Sequence, residues 1–169
     1  MLFLVASGLV VAALGAESAT EPVSSVDPSG NVSVTCVVPQ SEAAVRAALS
    51  DPESAAALPP EVLSVTTLSR GSCVTLGVTV KGAWDPLHYT TLRCPTPRGF
   101  KYRLLQSDSI TAYEAEWSLA PHAGGGTEVT YRVRTEVDLP IPHAMVRKGV
   151  LQSAKDTVIA LIRRVSRAR

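Results

Sequence analysis

Nucleophilic and acid–base catalysis needs a Ser, Cys or Thr beside an imidazole that a carboxylate orients. The chain has three histidines, His88, His122 and His143, which fall in an expected strand, a hairpin loop and a helix entrance, with no nucleophile elbow or triad motif around them. Lone histidines in such places are commonly surface or satisfied core residues. Cys36, Cys73 and Cys94 lack metal-ligand spacing and a matching His, so no zinc site is expected. Gly124-Gly125-Gly126 is no phosphate cradle, because no Lys-Ser/Thr follows it and it joins two strand-like runs rather than a strand and a helix. These residues call for no catalytic set, no metal and no cofactor. The formal charge of +1 over 169 residues gives no global attraction to nucleic acid, which is excluded as a partner.

The elements around those residues are read from periodicity. Hydrophobic content of 46% with 5% aromatics describes one globular domain with a core of Val, Leu and Ala. Val32, Val34, Cys36 and Val38 alternate with polar residues, as in a half-buried strand. Ser41 is placed to cap a short helix whose Ala44, Val45, Ala48 and Leu49 share a face, and Asp51-Pro52 opens a second one that Pro59-Pro60 ends. From Glu61 onward, six strand-like runs follow, separated by short connectors of the kind that join antiparallel neighbours. In the last two, Tyr113, Ala115, Trp117 and Leu119, then Val129, Tyr131 and Val133, face one side. After Leu139-Pro140-Ile141-Pro142 the period becomes helical, with Val146, Val150, Ala154, Val158, Leu161 and Val165 on one stripe, and Arg147, Lys148, Lys155, Arg163 and Arg164 largely off it. The stripe must be buried, and the concave face of the sheet is the apolar surface that can receive it.

At the other terminus, Leu2 to Ala16 is continuously apolar or small and is followed at once by polar residues, a secretory pattern whose positive charge comes only from the amino terminus. It is shorter than the ~20 residues of a bilayer span. The expectation is therefore a signal peptide over 1–16, a flexible leader over 17–30, a domain over 31–169, and export to the periplasm or exterior. Export permits one disulfide; Cys73 and Cys94 flank a hairpin and are placed to form it or to remain free, whereas Cys36 sits among valines as a core residue.

The order strand, two short helices, six antiparallel strands and long helix, together with Trp117, Leu119, Pro121, Gly125, Gly126, Thr127, Val129 and Tyr131 at the final hairpin, resembles the SRPBCC superfamily, also called START-like or helix-grip. Within it the chain is similar to the polyketide cyclase/dehydrase and coenzyme Q-binding START-like group. The resemblance implies an α+β helix-grip fold, a curved antiparallel sheet of about seven strands around the C-terminal helix, and a cavity between them. It puts the mouth near Trp84, Asp85 and Pro86, near Ser107 and Asp108, and near Pro140 to His143. Tyr102, Leu104, Tyr113, Trp117, Tyr131, Val133 and Met145 would line or floor the cavity, with Trp84 and Pro142 at its mouth. The tyrosine hydroxyls either orient a ligand or bond to one another. Asp108 with His143 is the one acid–base pair that the mouth offers.

Three functions follow in order: binding or carriage of a hydrophobic small molecule such as a lipid, quinone or polyketide, then an aromatase/cyclase- or dehydratase-type enzyme, then a structural or partner-binding domain with a collapsed core. The basic face of the last helix admits transient contact with an anionic membrane surface, or is simply a solvated face.

Overall fold

The computed structural model describes residues 18–168; the expected export segment, residues 1–16, lies outside them. In chain order the elements are β1 (Val23–Val26), β2 (Val32–Val38), α1 (Glu42–Ala48), α2 (Pro52–Ala56), β3 (Val62–Arg70), β4 (Val74–Val80), β5 (Leu87–Thr96), β6 (Gly99–Ser107), β7 (Ile110–Pro121), β8 (Thr127–Val137) and α3 (His143–Arg167). The strands form one antiparallel sheet in the order β1-β2-β8-β7-β6-β5-β4-β3.

Sequence alternation expects about seven strands, and the sheet has eight. The addition is β1, inside the segment expected to be a leader: Val23 to Val26 pair with Thr35 to Val32 through the backbone. Its residues are mostly exposed, so it carries no period-two signal.

Both short helices begin as their caps dictate. Ser41 Oγ accepts the Ala44 N–H at 3.3 Å, and the Asp51 carboxylate accepts the Ser54 N–H at 2.8 Å with Pro52 in the first turn. In the β7–β8 turn Gly125 and Gly126 take φ of 95° and 79°. A Cβ on Gly126 would stand 2.1 Å from the Val38 carbonyl oxygen, so this turn needs glycine twice over.

Helix α3 lies across the inner face, packing mainly on β8, β2 and α1. Ala154, Val158, Leu161 and Val165 of the expected stripe are buried, joined by Thr157, whose hydroxyl bonds back to the Ser153 carbonyl at 2.6 Å. Arg164, read from sequence as facing outward, is only half-exposed: it donates to the Ala48 carbonyl at 3.3 Å and to the Ser54 carbonyl at 3.0 Å, tying α3 to α1 and α2. Its aliphatic stem crosses the helix flank and its head finds the carbonyl oxygens of α1 and α2, which periodicity alone does not register.

The register Val74↔Arg93 sets Cys73 opposite Cys94, and the two form a disulfide; Cys36 is free and buried. Strands β6 and β7 pair only from Gly99↔Ser118 to Arg103↔Glu114, then part while each keeps its other neighbour. A bulge flanks the parting on either side, at Thr90/Thr91 and at Ile110/Ala112. The β4–β5, β6–β7 and β8–α3 connections share this end of the sheet, hereafter the rim, as the pairs Val80↔Leu87, Tyr89↔Ser107 and Ile110↔Val137 require.

Candidate functional site

The inner face is aliphatic except for one polar patch. All four tyrosines, Tyr89, Tyr102, Tyr113 and Tyr131, occupy inward positions of β5, β6, β7 and β8. Trp117 and Tyr131 lie side by side across β7 and β8 with ring centres 4.4 Å apart, and Tyr89 and Tyr113 stand 5.2 Å apart. The Tyr113 hydroxyl is a close neighbour of those of Tyr89 and Tyr131. Burial holds all four phenols above their ordinary range, so they remain neutral donors and acceptors.

Beside them lies Arg93, 4% exposed and without a carboxylate partner among the described residues. Its Nε donates to the Tyr102 hydroxyl at 2.9 Å, its Nη2 donates to the Leu49 carbonyl at the end of α1, and its guanidinium stacks 3.8 Å from the centre of the Phe100 ring. A buried cation is tolerable here because oxygen acceptors and an aromatic face replace water. Toward the rim, Ser153 of α3 donates to a Glu61 carboxylate oxygen at 2.5 Å, and the Glu61 charge reaches Tyr89 and Tyr131.

The space enclosed at the tyrosines is small. Ala55, Ala56, Pro59, Tyr102, Tyr113, Trp117, Tyr131 and Thr157 line a cavity of about 10 Å³. That is room for about one water, against the ~300–1,000 Å³ of a typical small-molecule pocket. On the helix side it is lined by Ala55 and Ala56 of α2, by Pro59 and by Thr157 of α3.

Of the residues expected to form the site, Tyr102, Tyr113, Trp117 and Tyr131 are brought together at this cavity. Val133 is buried in the same core and Leu104 is half-buried on β6. Trp84, at 71% exposed, stands on the β4–β5 loop away from the cavity. Pro142 caps α3 from an exposed position and makes no side-chain cap bond. Met145, expected to line the interior, is 65% exposed; of the first two turns of α3 only Val146 is half-buried, and Met145 lies outside the buried stripe. Asp108 lines a surface hollow with His88, while His143 lines a separate one with Arg134 and Arg147, so the acid–base pair considered at the mouth is not assembled. His88 instead bonds Thr79 at 3.0 Å, and His122 accepts the Gly124 N–H within its own turn. Among the described residues no group of three or more His, Cys, Asp and Glu is arranged to hold a metal, and no helix is long and apolar enough to cross a membrane.

Sequence reasoning passed over Arg93, Glu61, Thr157 and the small residues Ala55 and Ala56. A signal existed for the first: in LHYTTLRC, Arg93 shares parity with Tyr89 and Thr91 and so had to point inward with them.

Residues 29–166 match the family model described as polyketide cyclase / dehydrase and lipid transport. No curated protein matches the chain. Among solved structures, a START superfamily protein from Mycobacterium smegmatis is 25% identical with a TM-score of 0.69, the alignment covering 82% of this chain and 99% of that one. The Zhui aromatase/cyclase from a Streptomyces species is similar at 18% identity and a TM-score of 0.63, covering 80% and 90%. A STAR-related lipid transfer protein from Xanthomonas axonopodis is similar at 16% identity and a TM-score of 0.59, covering 87% and 99%.

Proposed function

The chain belongs to the polyketide cyclase / dehydrase and lipid transport family and has its START-like helix-grip fold, and from that premise we propose that it binds a hydrophobic small molecule, a lipid, quinone or polyketide-like compound, between the sheet and α3. The observation that carries this reading is the gathering of all four tyrosine hydroxyls, held neutral by burial, in a core that is otherwise mainly apolar. An apolar ligand with one or two carbonyl or hydroxyl oxygens matches such a surface.

A cavity of about 10 Å³ admits such a ligand only if something moves. The N-terminal half of α3 is the element with least holding it: His143 to Gly149 is mostly exposed, and its first turn lacks a side-chain cap. Among the described residues, Ser153–Glu61 is its one side-chain hydrogen bond to the sheet. Gly149 weakens the helix further, by ~1 kcal/mol relative to Ala. Outward swing of this half would open the rim side of the tyrosine patch, at Tyr89 and Tyr113, while Thr157 of the other half stays over the cavity.

The test is native mass spectrometry of protein purified from its own source, with Nile red titration of the recombinant domain. A retained apolar compound, and Nile red binding that Ala56→Phe abolishes by filling the cavity, are expected. No retained compound and no Nile red binding would leave the closed-core structural domain as the better description.

A second reading, cyclase- or dehydratase-type chemistry on the bound molecule, is favoured by the Arg93–Tyr102 bond, which leaves the Tyr102 hydroxyl proton free for a ligand carbonyl. Release of a cyclised product from an added polyketone would support it. We also propose export of the mature domain, supported by the Cys73–Cys94 disulfide, which fits an oxidising compartment. A mature amino terminus near Glu17 or Ala19 would bear this out, and intact Met1 on folded cytoplasmic protein would refute it.

A further inference from the structure

The largest contrast with the closed interior lies on the opposite, solvent-facing side of the sheet. There a trough of about 390 Å³ runs across β5, β6, β7 and β8. Its size falls within the range of small-molecule pockets. Leu92 and Cys94, the latter fixed by its bridge to Cys73, supply apolar floor, and both are half-buried.

The walls are charged in two rows. Cross-strand register sets Lys101, Glu116 and Arg132 side by side, and two residues along sets Arg103, Glu114 and Arg134 side by side. Each carboxylate thus lies between two cations, leaving four cations against two carboxylates in the trough. If cross-strand pairing were their whole role, the charges would close on one another. Only the first row does so, with Lys101 3.7 Å from Glu116. In the second row Arg134 turns along its own strand to Glu136 at 2.5 Å, and Arg103 has neither an ion pair nor a side-chain hydrogen bond among the described residues. Arg132 reaches away to Ser33 at 3.2 Å. The cations splay, and the gap between them is the trough.

We propose that this trough is a binding site for a small anionic molecule with an apolar body, an aryl or alkyl carboxylate, its ring or chain on Leu92 and the disulfide and its carboxylate on Arg103, which stands opposite Leu92 and is the trough's one cation without a side-chain partner among the described residues. Guanidinium is suited to this role, since it meets a carboxylate with two parallel N–H donors. The site is independent of the interior reading: it uses the other face of the sheet and shares only Tyr102 with the inner cavity.

The probes are naphthoate and its uncharged counterpart naphthalenemethanol, titrated by fluorescence anisotropy against the wild type, Arg103→Glu, Leu92→Asp and the cavity-filling Ala56→Phe. Naphthoate should bind the wild type about tenfold more tightly than the alcohol, as one charge-assisted contact allows. Arg103→Glu should erase that preference, Leu92→Asp should weaken both probes, and added salt should weaken naphthoate alone. Arg103 is exposed, and Arg103→Gln, which removes the charge without setting a carboxylate opposite Glu114, should erase the preference too and leave the melting temperature unchanged. Ala56→Phe should leave naphthoate binding intact. Equal affinity for acid and alcohol, unchanged naphthoate binding in Arg103→Glu, or no binding at all would overturn the proposal. Loss of both probes in Ala56→Phe alone would overturn it too, while placing the probes in the interior and leaving the function proposed above standing.

Discussion

The two halves of α3 are built from one continuous amphipathic pattern and are held in different ways. Its C-terminal half buries Ala154, Thr157, Val158, Leu161 and Val165 and is tied to α1 and α2 through Arg164. Its N-terminal half leaves Met145 out in solvent, keeps Val146 and Val150 half-buried and carries Gly149, whose missing Cβ would meet nothing within 4 Å. A helix with one continuous stripe is therefore deeply buried along its C-terminal half and only partly covered along its N-terminal half. Burial and side-chain ties are concentrated in one half, and under the proposed function the other half is the part that would move.

The sharpest way to break this comparison is Leu161→Ala. Leu161 is 1% exposed, and truncation should cost about 2–5 kcal/mol in denaturant unfolding. A neutral result would mean that the C-terminal half is not the anchor.

Cys36 reports on the same anchored region, since its partner Val129 lies near the β7–β8 turn, at the far end from the rim. Burial pushes its thiol up to about 11 from 9.0. A group with a raised folded pKa that is neutral when protonated stabilises the fold below the unfolded value and loses that contribution as pH rises through the folded one. Stability should accordingly fall between pH 9.0 and about 11, by an amount on the order of 2–3 kcal/mol from this group. The four tyrosines push the same way above their ordinary range. Urea titrations across that window measure the slope, and a flat profile would mean that Cys36 and the phenols are open to water.

Smaller effects sharpen the contrast. Arg164→Ala should cost about 1–2 kcal/mol through its two carbonyl contacts, measurably more than Arg163→Ala on the exposed neighbour position. Met145→Ala should stay within about 0.5 kcal/mol, as suits an exposed side chain. Equal losses at 164 and 145 would erase the distinction between the two halves.

Much of this was legible in the sequence. Strand-like runs located β2 to β8, cap residues located α1 and α2, and three of the four inward tyrosines, Tyr102, Tyr113 and Tyr131, were placed, whereas Tyr89 was not. What escaped did so for definite reasons. Strand β1 is held by backbone pairing, which leaves no mark on side-chain pattern. Arg93 was hidden by its charge, since inward parity is usually discounted for an arginine, although stacking on Phe100 and bonds to Tyr102 and Leu49 make the position tenable. Met145 is off the stripe that periodicity gives α3; its inward place rested on the resemblance, which does not register how much of the helix the core covers. The volume of the cavity depends on how α2 and Pro59 settle over the tyrosines, a packing outcome with no periodic signature.

Hydrogen exchange along α3, with and without Nile red, tests most directly whether the interior opens at its N-terminal half. In the free protein the amides of residues 147–151 should exchange far faster than those of residues 157–165, and saturating Nile red should slow the first group while leaving the second unchanged. Uniform protection along the whole helix, unaffected by the probe, would contradict an interior that opens to take a ligand.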